Sequence, residues 1–162
     1  MADSGRLLRR LHDASLRFSW PEARWQAPTH EPVEVICHND VAPYNMVFDQ
    51  TTVGGLIDFD MASPGPRIWD LAYLAYRLVP FAEDAGSAAP GGDRRPRLDR
   101  LTAAYGMPFS PAAMALTIRT RLTELAAFAD QRALETGNVE LHAHAAMYRR
   151  DADCIVATVV SS

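Results

Sequence analysis

The chain has 162 residues, of which 48% are hydrophobic and 22% are charged, and its net charge is −4. This composition is typical of a folded globular protein and excludes a wholly disordered chain. The negative charge gives no electrostatic reason to expect nucleic acid or an anionic membrane as a partner.

The first segment with a clear hydrophobic period is residues 4–14, which predicts an amphipathic helix. Leu7, Leu8 and Leu11 share one face of this helix, and Ser4 is a candidate N-cap. Prolines and two tryptophans follow, and they predict an irregular connector. The amino terminus lacks an apolar stretch of signal-peptide length, so no secretion signal is expected.

The two cysteines, Cys37 and Cys154, stand alone without the spacing of a metal or redox motif. We expect both to be reduced thiols, with a disulfide between them as the less favoured alternative. The longest aliphatic run near the carboxyl end, residues 154–160, is too short to span a membrane. These features together predict a cytoplasmic protein.

Three short strands are predicted in the next part of the chain. Residues 33–37 form a β-branched run, and residues 46–48 and 53–59 form two more apolar runs. The last two are joined by the turn-prone residues 49–52, so they predict a β-hairpin. Antiparallel partners lie about 5 Å apart, so the chain that leaves one strand returns beside it on the other.

The rest of the sequence alternates chain breakers with helices. Ser-Pro-Gly-Pro at residues 63–66 predicts a break, and the composition of residues 85–96 predicts a surface loop. Helices are predicted over residues 68–81, 98–105, 110–136 and a last segment that ends at about residue 159. The fold class expected from this order is α+β, mostly helical, with a small β-hairpin.

The stretch ICHNDVAPYNMVFD, residues 36–49, contains His38, Asp40 and Asn45 in the pattern H-x-D-x-x-x-x-N. Phosphoryl transfer requires a base for the proton of the acceptor and oxygen ligands for Mg²⁺. Asp40 suits the base, and Asn45 offers an amide oxygen as a ligand. The alternative is a polar turn between strands, where both residue types are common.

Asp58 strengthens the prediction of a metal site because it lies in the apolar sequence GGLIDFD. A carboxylate in such surroundings needs a charged or polar partner. The predicted hairpin brings Asp58 back towards Asn45, so an anionic and a neutral oxygen ligand are expected to converge.

These motifs resemble those of the aminoglycoside phosphotransferase and choline kinase family, over the stretch from His38 to about Phe81. HNDVAPYN is similar to the catalytic loop of that family, and LIDFD is similar to its metal-binding segment. PGPRIWDLAY resembles the stretch in which an aspartate, here Asp70, opens a helix. RLLRRLHDAS resembles the leucine-arginine helix that ends in Leu-His. The resemblance covers about half of the chain and implies a protein-kinase-like carboxy-terminal lobe.

The resemblance also implies roles for individual residues. It makes Asp40 the catalytic base, and it makes Asn45 and Asp58 the Mg²⁺ ligands. Three further residues are expected to support this site: His38, Asp60 and Asp70. Of these, Asp60 either lies behind the ligands or faces the substrate. ATP and Mg²⁺ are the implied cofactors, and the implied substrate is a small molecule with a hydroxyl group.

The sequence also departs from the family pattern. Only 37 residues precede His38, the nine glycines include no G-x-G-x-x-G arrangement, and all sixteen basic residues are arginine. A complete kinase of this type has a nucleotide lobe with a phosphate-binding lysine. We therefore expect residues 1–162 to form a single domain that corresponds to the carboxy-terminal lobe, with the amino-terminal nucleotide lobe absent.

Three functions are compatible with these features. The first is an ATP-dependent small-molecule kinase in which a homodimer or a separate nucleotide-lobe partner completes the site. The second is a catalytically inactive, truncated kinase lobe that acts as a binding or interaction module. The third is a metal-dependent hydrolase that uses the four polar residues Asp40, Asn45, Asp58 and Asp60. Aminoglycosides, choline-like alcohols, sugars and macrolides are all candidate acceptors.

Overall fold

The computed structural model describes residues 1–18, 22–79 and 94–160, with side chains up to residue 155. These residues are mostly helical, as the sequence predicts. The helices are α1 (Ala2–Ser15), α2 (Arg67–Leu78), α3 (Arg94–Tyr105), α4 (Pro111–Thr136) and α5 (Glu140–Val160). The strands are β1 (Val35–Cys37), β2 (Met46–Asp49), β3 (Thr52–Leu56) and β4 (Ser63–Gly65). No helix in the described ranges has the length and apolarity needed to cross a membrane.

The chain divides into two compact units. Of the described residues, the first unit holds those up to 79 together with 94–109, and the second holds 110–160. In the second unit α4 packs on α5 around small buried side chains and Tyr148. Ser110 caps α4 as predicted, because its hydroxyl oxygen accepts a hydrogen bond of 3.1 Å from the backbone N–H of Ala113. The single domain expected for the whole chain stays a prediction.

Two small antiparallel sheets lie in the first unit. Strand β2 pairs with β3 as the predicted hairpin, with Met46 opposite Leu56. Strand β1 pairs with β4, with Ile36 opposite Pro64. The prediction of a break at residues 63–66 is therefore wrong for its first three residues. Proline is tolerated there because a two-stranded sheet has only edge strands, where its missing N–H leaves no bond unmade.

The buried face of α1 differs from the predicted one. The helix begins at Ala2, so Ser4 is not its N-cap but a buried residue inside it, and the Ser4 hydroxyl lies 3.6 Å from the sulfur of Met46. Leu8 and His12 continue this face at intervals of one turn, and both are fully buried. The buried face of α1 therefore carries Ser4, Leu8 and His12, a polar, an apolar and a polar residue. A search for hydrophobic residues alone does not detect such a face.

The predicted boundaries of other elements shift by a few residues. The helix predicted over residues 68–81 corresponds to α2, which begins at Arg67 and ends at Leu78. Residues 80 and 81 lie outside the described ranges. The loop predicted over residues 85–96 also lies outside them, except that its last three residues form the beginning of α3.

Candidate functional site

The loop after β1 carries the first half of the motif, and its backbone has an uncommon conformation. Asn39 has a φ of 66°, in the left-handed region that asparagine tolerates better than most residues. Its side-chain amide donates to the carbonyl of Met61 at 2.8 Å and to the hydroxyl of Ser63 at 2.7 Å. The residue between His38 and Asp40 therefore ties this loop to the segment that leads into β4.

Asp70, in the first turn of α2, holds the backbone of the same loop. One carboxylate oxygen accepts a hydrogen bond from the backbone N–H of His38 at 2.6 Å, and the other accepts one from the N–H of Asn39 at 2.8 Å. The side chain of Asp70 is fully buried. A buried carboxylate is stable only when donors surround it, so these bonds stabilise Asp70 and fix the loop immediately before Asp40.

His38 is fully buried and connects the loop to the segment that precedes Asp58. Its Nδ1 accepts a hydrogen bond from the backbone N–H of Asp40 at 3.3 Å. Its Nε2 lies 2.9 Å from the carbonyl oxygen of Ile57 and must therefore carry the proton. These two bonds define a neutral tautomer and use both ring nitrogens. His38 is thus placed for support of the loop, with neither nitrogen left for a substrate.

The carboxylate of Asp40 accepts two hydrogen bonds from nearby side chains. Oδ1 accepts one from the hydroxyl of Tyr44 at 2.6 Å, and Oδ2 accepts one from the side-chain amide of Asn45 at 2.8 Å. Partial burial of the phenol and its bond to Asp40 together raise the pKa of Tyr44 to about 12. The phenol is therefore protonated near neutral pH and acts as a donor.

Asn45 joins the two halves of the candidate site. Its backbone carbonyl accepts a hydrogen bond of 3.0 Å from the N–H of Ile57, one residue before Asp58. Its side-chain nitrogen donates a hydrogen bond to the carboxylate of Asp40. The amide oxygen is therefore the atom that remains available to a cation. Asp58 itself has a φ of 65° just beyond β3, which turns the chain away from the strand direction.

Asp58 and Asp60 are exposed, and within the described ranges neither carboxylate has a hydrogen bond or an ion pair. An amide oxygen and a free carboxylate are hard oxygen donors, which is the ligand type that Mg²⁺ requires. Asn45 and Asp58 therefore suit a Mg²⁺ ion by donor chemistry, and the backbone of Asn45 is bonded to that of Ile57, the residue before Asp58. Asp60 lies two residues beyond Asp58, in a turn that begins at Phe59.

Behind the loop lies a buried polar network that the sequence did not reveal. His12 Nε2 lies 3.1 Å from the carboxylate of Asp70, and His12 Nδ1 lies 2.8 Å from the hydroxyl of Tyr105 in α3. Arg67 in turn donates to the Tyr105 hydroxyl at 3.3 Å. Burial raises the pKa of Tyr105 to about 12, against the opposing effect of the Arg67 charge. The sequence feature that could have indicated this network is the position of His12, one helical turn after Leu8 on the buried face of α1.

The same network reaches the surface through Asp13. One carboxylate oxygen of Asp13 pairs with Arg67 at 2.9 Å, and the other pairs with Arg9 at 2.7 Å. Burial acts to raise the pKa of Asp13, but the hydrogen bonds from the two arginines outweigh it and hold the pKa below its ordinary value. A chain of polar contacts thus runs from an exposed ion pair to the backbone of the loop.

A group of buried potential metal ligands also belongs to this network. Ligand atoms of His12, Cys37 and Asp70 lie within 4.8 Å of one another. The hydrogen bonds of His12 and Asp70 already explain why these atoms are close, because each is engaged by donors or acceptors of the protein itself. The cluster is therefore part of the support for the loop.

Comparison with known proteins gives one match. A family model described as the phosphotransferase enzyme family, APH, matches residues 2–116. The match runs from α1 to the beginning of α4 and includes the loop, the hairpin and the network described above. It covers well over half of the 162 residues and extends beyond the stretch in which the motifs resemble a known family. No curated protein and no solved structure matches the chain.

Proposed function

Because the chain belongs to the phosphotransferase enzyme family, we propose that it transfers the γ-phosphoryl group of ATP to a hydroxyl group of a small molecule. The observation that carries this proposal is the dual role of Asn45. Its side chain contacts the carboxylate of Asp40, while its backbone pairs with the residue before Asp58. This arrangement supports Asp40 as the base and Asn45 and Asp58 as the two metal ligands of the proposed reaction.

In the proposed reaction Asp40 accepts the proton of the acceptor hydroxyl. At the same time the acceptor oxygen forms a bond to the γ-phosphorus, the bond from this phosphorus to the bridging oxygen breaks, and ADP leaves. Asn45 and Asp58 would hold Mg²⁺, which supplies positive charge against the phosphate oxygens when it is bound. Asp70 and His38 hold the loop in place. The kinase-like lobe implied by the family is part of the same proposal.

The reaction can be tested with ATP labelled at the γ-phosphate and a panel of hydroxyl compounds. The panel should contain an aminoglycoside, choline, a sugar and a macrolide. We expect label to appear in at least one compound and Asp40→Asn to slow its transfer by about a hundredfold or more, because a general base contributes that much. Asp153→Asn, at an exposed position in α5, is the matched control and should retain the wild-type rate. Equal rates for Asp40→Asn and wild type would contradict the proposed role of Asp40.

A second function is favoured by the apolar surface of the hairpin and the segment after it. Val47, Phe48, Ile57 and Phe59 are each between 44% and 52% exposed. Exposed apolar groups of this kind often mark a surface that contacts another chain. The alternative is therefore a binding module that pairs with a second copy or with a nucleotide-binding partner and does not transfer phosphate.

Light scattering distinguishes this alternative. If the hairpin surface is an interface between copies, the purified chain should form a dimer at micromolar concentration, and Phe48→Asp should convert it to a monomer. Leu134→Asp, at an exposed leucine of α4, is the control and should leave the dimer intact. A wild-type monomer that also transfers label from ATP would exclude the homodimer and the inactive module together.

A further inference from the structure

The hydrogen bond between Tyr44 and Asp40 has the geometry that a general base needs with its substrate. The phenol oxygen lies 2.6 Å from Asp40 Oδ1, and the other carboxylate oxygen is engaged by Asn45. A base must come within hydrogen-bonding distance of the hydroxyl whose proton it removes. Here a hydroxyl of the protein itself occupies that place.

The side chain of Tyr44 is held by few contacts. Its hydroxyl lies 3.3 Å from that of Tyr73, and the guanidinium of Arg77 lies 5.5 Å from the centre of its ring. The residue is 56% exposed, so its ring can rotate into solvent without disturbing the buried core. Rotations of exposed side chains are fast compared with enzymatic turnover. Tyr44 is therefore positioned on Asp40 but is free to leave it.

We propose that Tyr44 controls which hydroxyl groups reach Asp40 and that it suppresses the hydrolysis of ATP when no acceptor is bound. This inference rests on the proposed function, since it requires Asp40 to be the base. Each carboxylate oxygen accepts about two hydrogen bonds, so a hydroxyl that approaches Oδ1 must replace the phenol or share this oxygen with it, whereas one that approaches Oδ2 shares it with the amide of Asn45. A bound acceptor is held by further contacts and can displace the phenol, whereas a water molecule has no such contacts.

Hydrolysis is the simplest reaction in which this control can be measured. Water would give its proton to Asp40 while its oxygen bonds to the γ-phosphorus, the bond to the bridging oxygen breaks, and ADP leaves with the electron pair. Tyr44→Phe keeps the ring but removes the competing donor. We expect this variant to hydrolyse Mg²⁺–ATP roughly ten- to a hundredfold faster than wild type, the range that corresponds to one hydrogen bond to a charged group.

The contact itself is tested without any turnover. The ¹³Cζ resonance of a tyrosine reports hydrogen bonding of its phenol even when the phenol proton exchanges rapidly with water. In protein labelled at this carbon, we expect the Tyr44 resonance, assigned by its loss in Tyr44→Phe, to shift in Asp40→Ala. Tyr148→Phe, which removes a phenol hydroxyl from α5, is the control and should leave the Tyr44 resonance in place. A Tyr44 resonance at the same position in wild type and in Asp40→Ala would overturn the inference.

The two measurements separate the inference from the function on which it rests. If wild type transfers phosphate but Tyr44→Phe hydrolyses ATP no faster, the role of Tyr44 is refuted and the proposed function stands. If neither protein turns over ATP with any acceptor, the proposed function fails and the role of Tyr44 fails with it. In that case a Tyr44 resonance that shifts in Asp40→Ala would show that the failure is not due to a misplaced Tyr44.

Discussion

The substitution Asp70→Asn tests whether the buried network holds the loop. Among the donors that face the carboxylate of Asp70 are two backbone N–H groups and the Nε2 of His12. An asparagine keeps one acceptor oxygen, but its amide nitrogen donates and so leaves at least one buried donor without a partner. A hydrogen bond to a charged group contributes about 1.5–3 kcal/mol, and an unpaired buried donor costs about 1–3 kcal/mol. The lower cost of burying a neutral side chain offsets part of this loss.

The net effect expected for Asp70→Asn is a loss of about 2–4 kcal/mol in the free energy of unfolding. For a chain of this size the melting temperature should fall by roughly 5–15 °C. Thermal unfolding followed by circular dichroism measures the global effect, and hydrogen exchange at the amides of His38 and Asn39 measures the local one. Both amides should exchange faster in the variant because they lose a carboxylate acceptor.

The control is Asp130→Asn, because Asp130 forms its ion pairs with Arg149 and His142 at the surface. Ion pairs between exposed side chains are screened by solvent and contribute little to stability, so this variant should unfold close to the wild-type temperature. If Asp70→Asn unfolds at the same temperature as Asp130→Asn, and the amides of His38 and Asn39 keep their protection, the network does not support the loop.

Three further predictions follow from local contacts. The pKa of Asp13 is lower in the folded protein than its ordinary value of 3.8, so the stability that Asp13 contributes is complete above this pH and is lost as the pH falls below it. Urea unfolding at several pH values should therefore show a weaker loss of stability in acid for Asp13→Asn than for wild type. Gly5→Ala should lower stability by about 1–2 kcal/mol in thermal unfolding, because the new Cβ would lie 2.9 Å from the carbonyl oxygen of Leu101. Gly54→Ala is its control, since the nearest atom there is 4.0 Å away, and equal losses would refute the steric explanation. Ser110→Ala should cost about 1 kcal/mol by the same measurement, whereas an unchanged melting temperature would show that the cap is unimportant.

The parts of the fold that depend on local sequence were predictable. The hairpin followed from two apolar runs around a polar turn, and the cap at Ser110 followed from a serine before a proline. Strand β4 was not predictable in this way because its Ser-Pro-Gly sequence has no strand preference, and pairing with β1 alone makes it a strand. Long-range pairing overrides local preference there.

The same contrast between local and long-range contacts applies to the candidate site. The predicted hairpin was enough to place the backbone of Asn45 beside the segment that leads to Asp58, and the bond between Asn45 and Ile57 agrees with this. The convergence of the two side chains on a metal ion stays a prediction. The contacts of His12 with Asp70 and Tyr105 join residues that are 58 and 93 positions apart. No local period marks such contacts in a single sequence. The contact of Tyr44 with Asp40 is local, but it depends on the tight turn Pro43–Asn45, whose direction the sequence did not specify.

The most direct test of the proposed phosphotransferase is calorimetric titration with a non-hydrolysable ATP analogue, with and without Mg²⁺. We predict that Mg²⁺ strengthens binding to the wild-type chain and that Asp58→Asn removes the effect of Mg²⁺, because the variant loses the anionic ligand. Asp153→Asn should bind like wild type. Absence of binding at millimolar nucleotide, or equal Mg²⁺ dependence in Asp58→Asn and wild type, would contradict the metal and nucleotide site proposed for this chain.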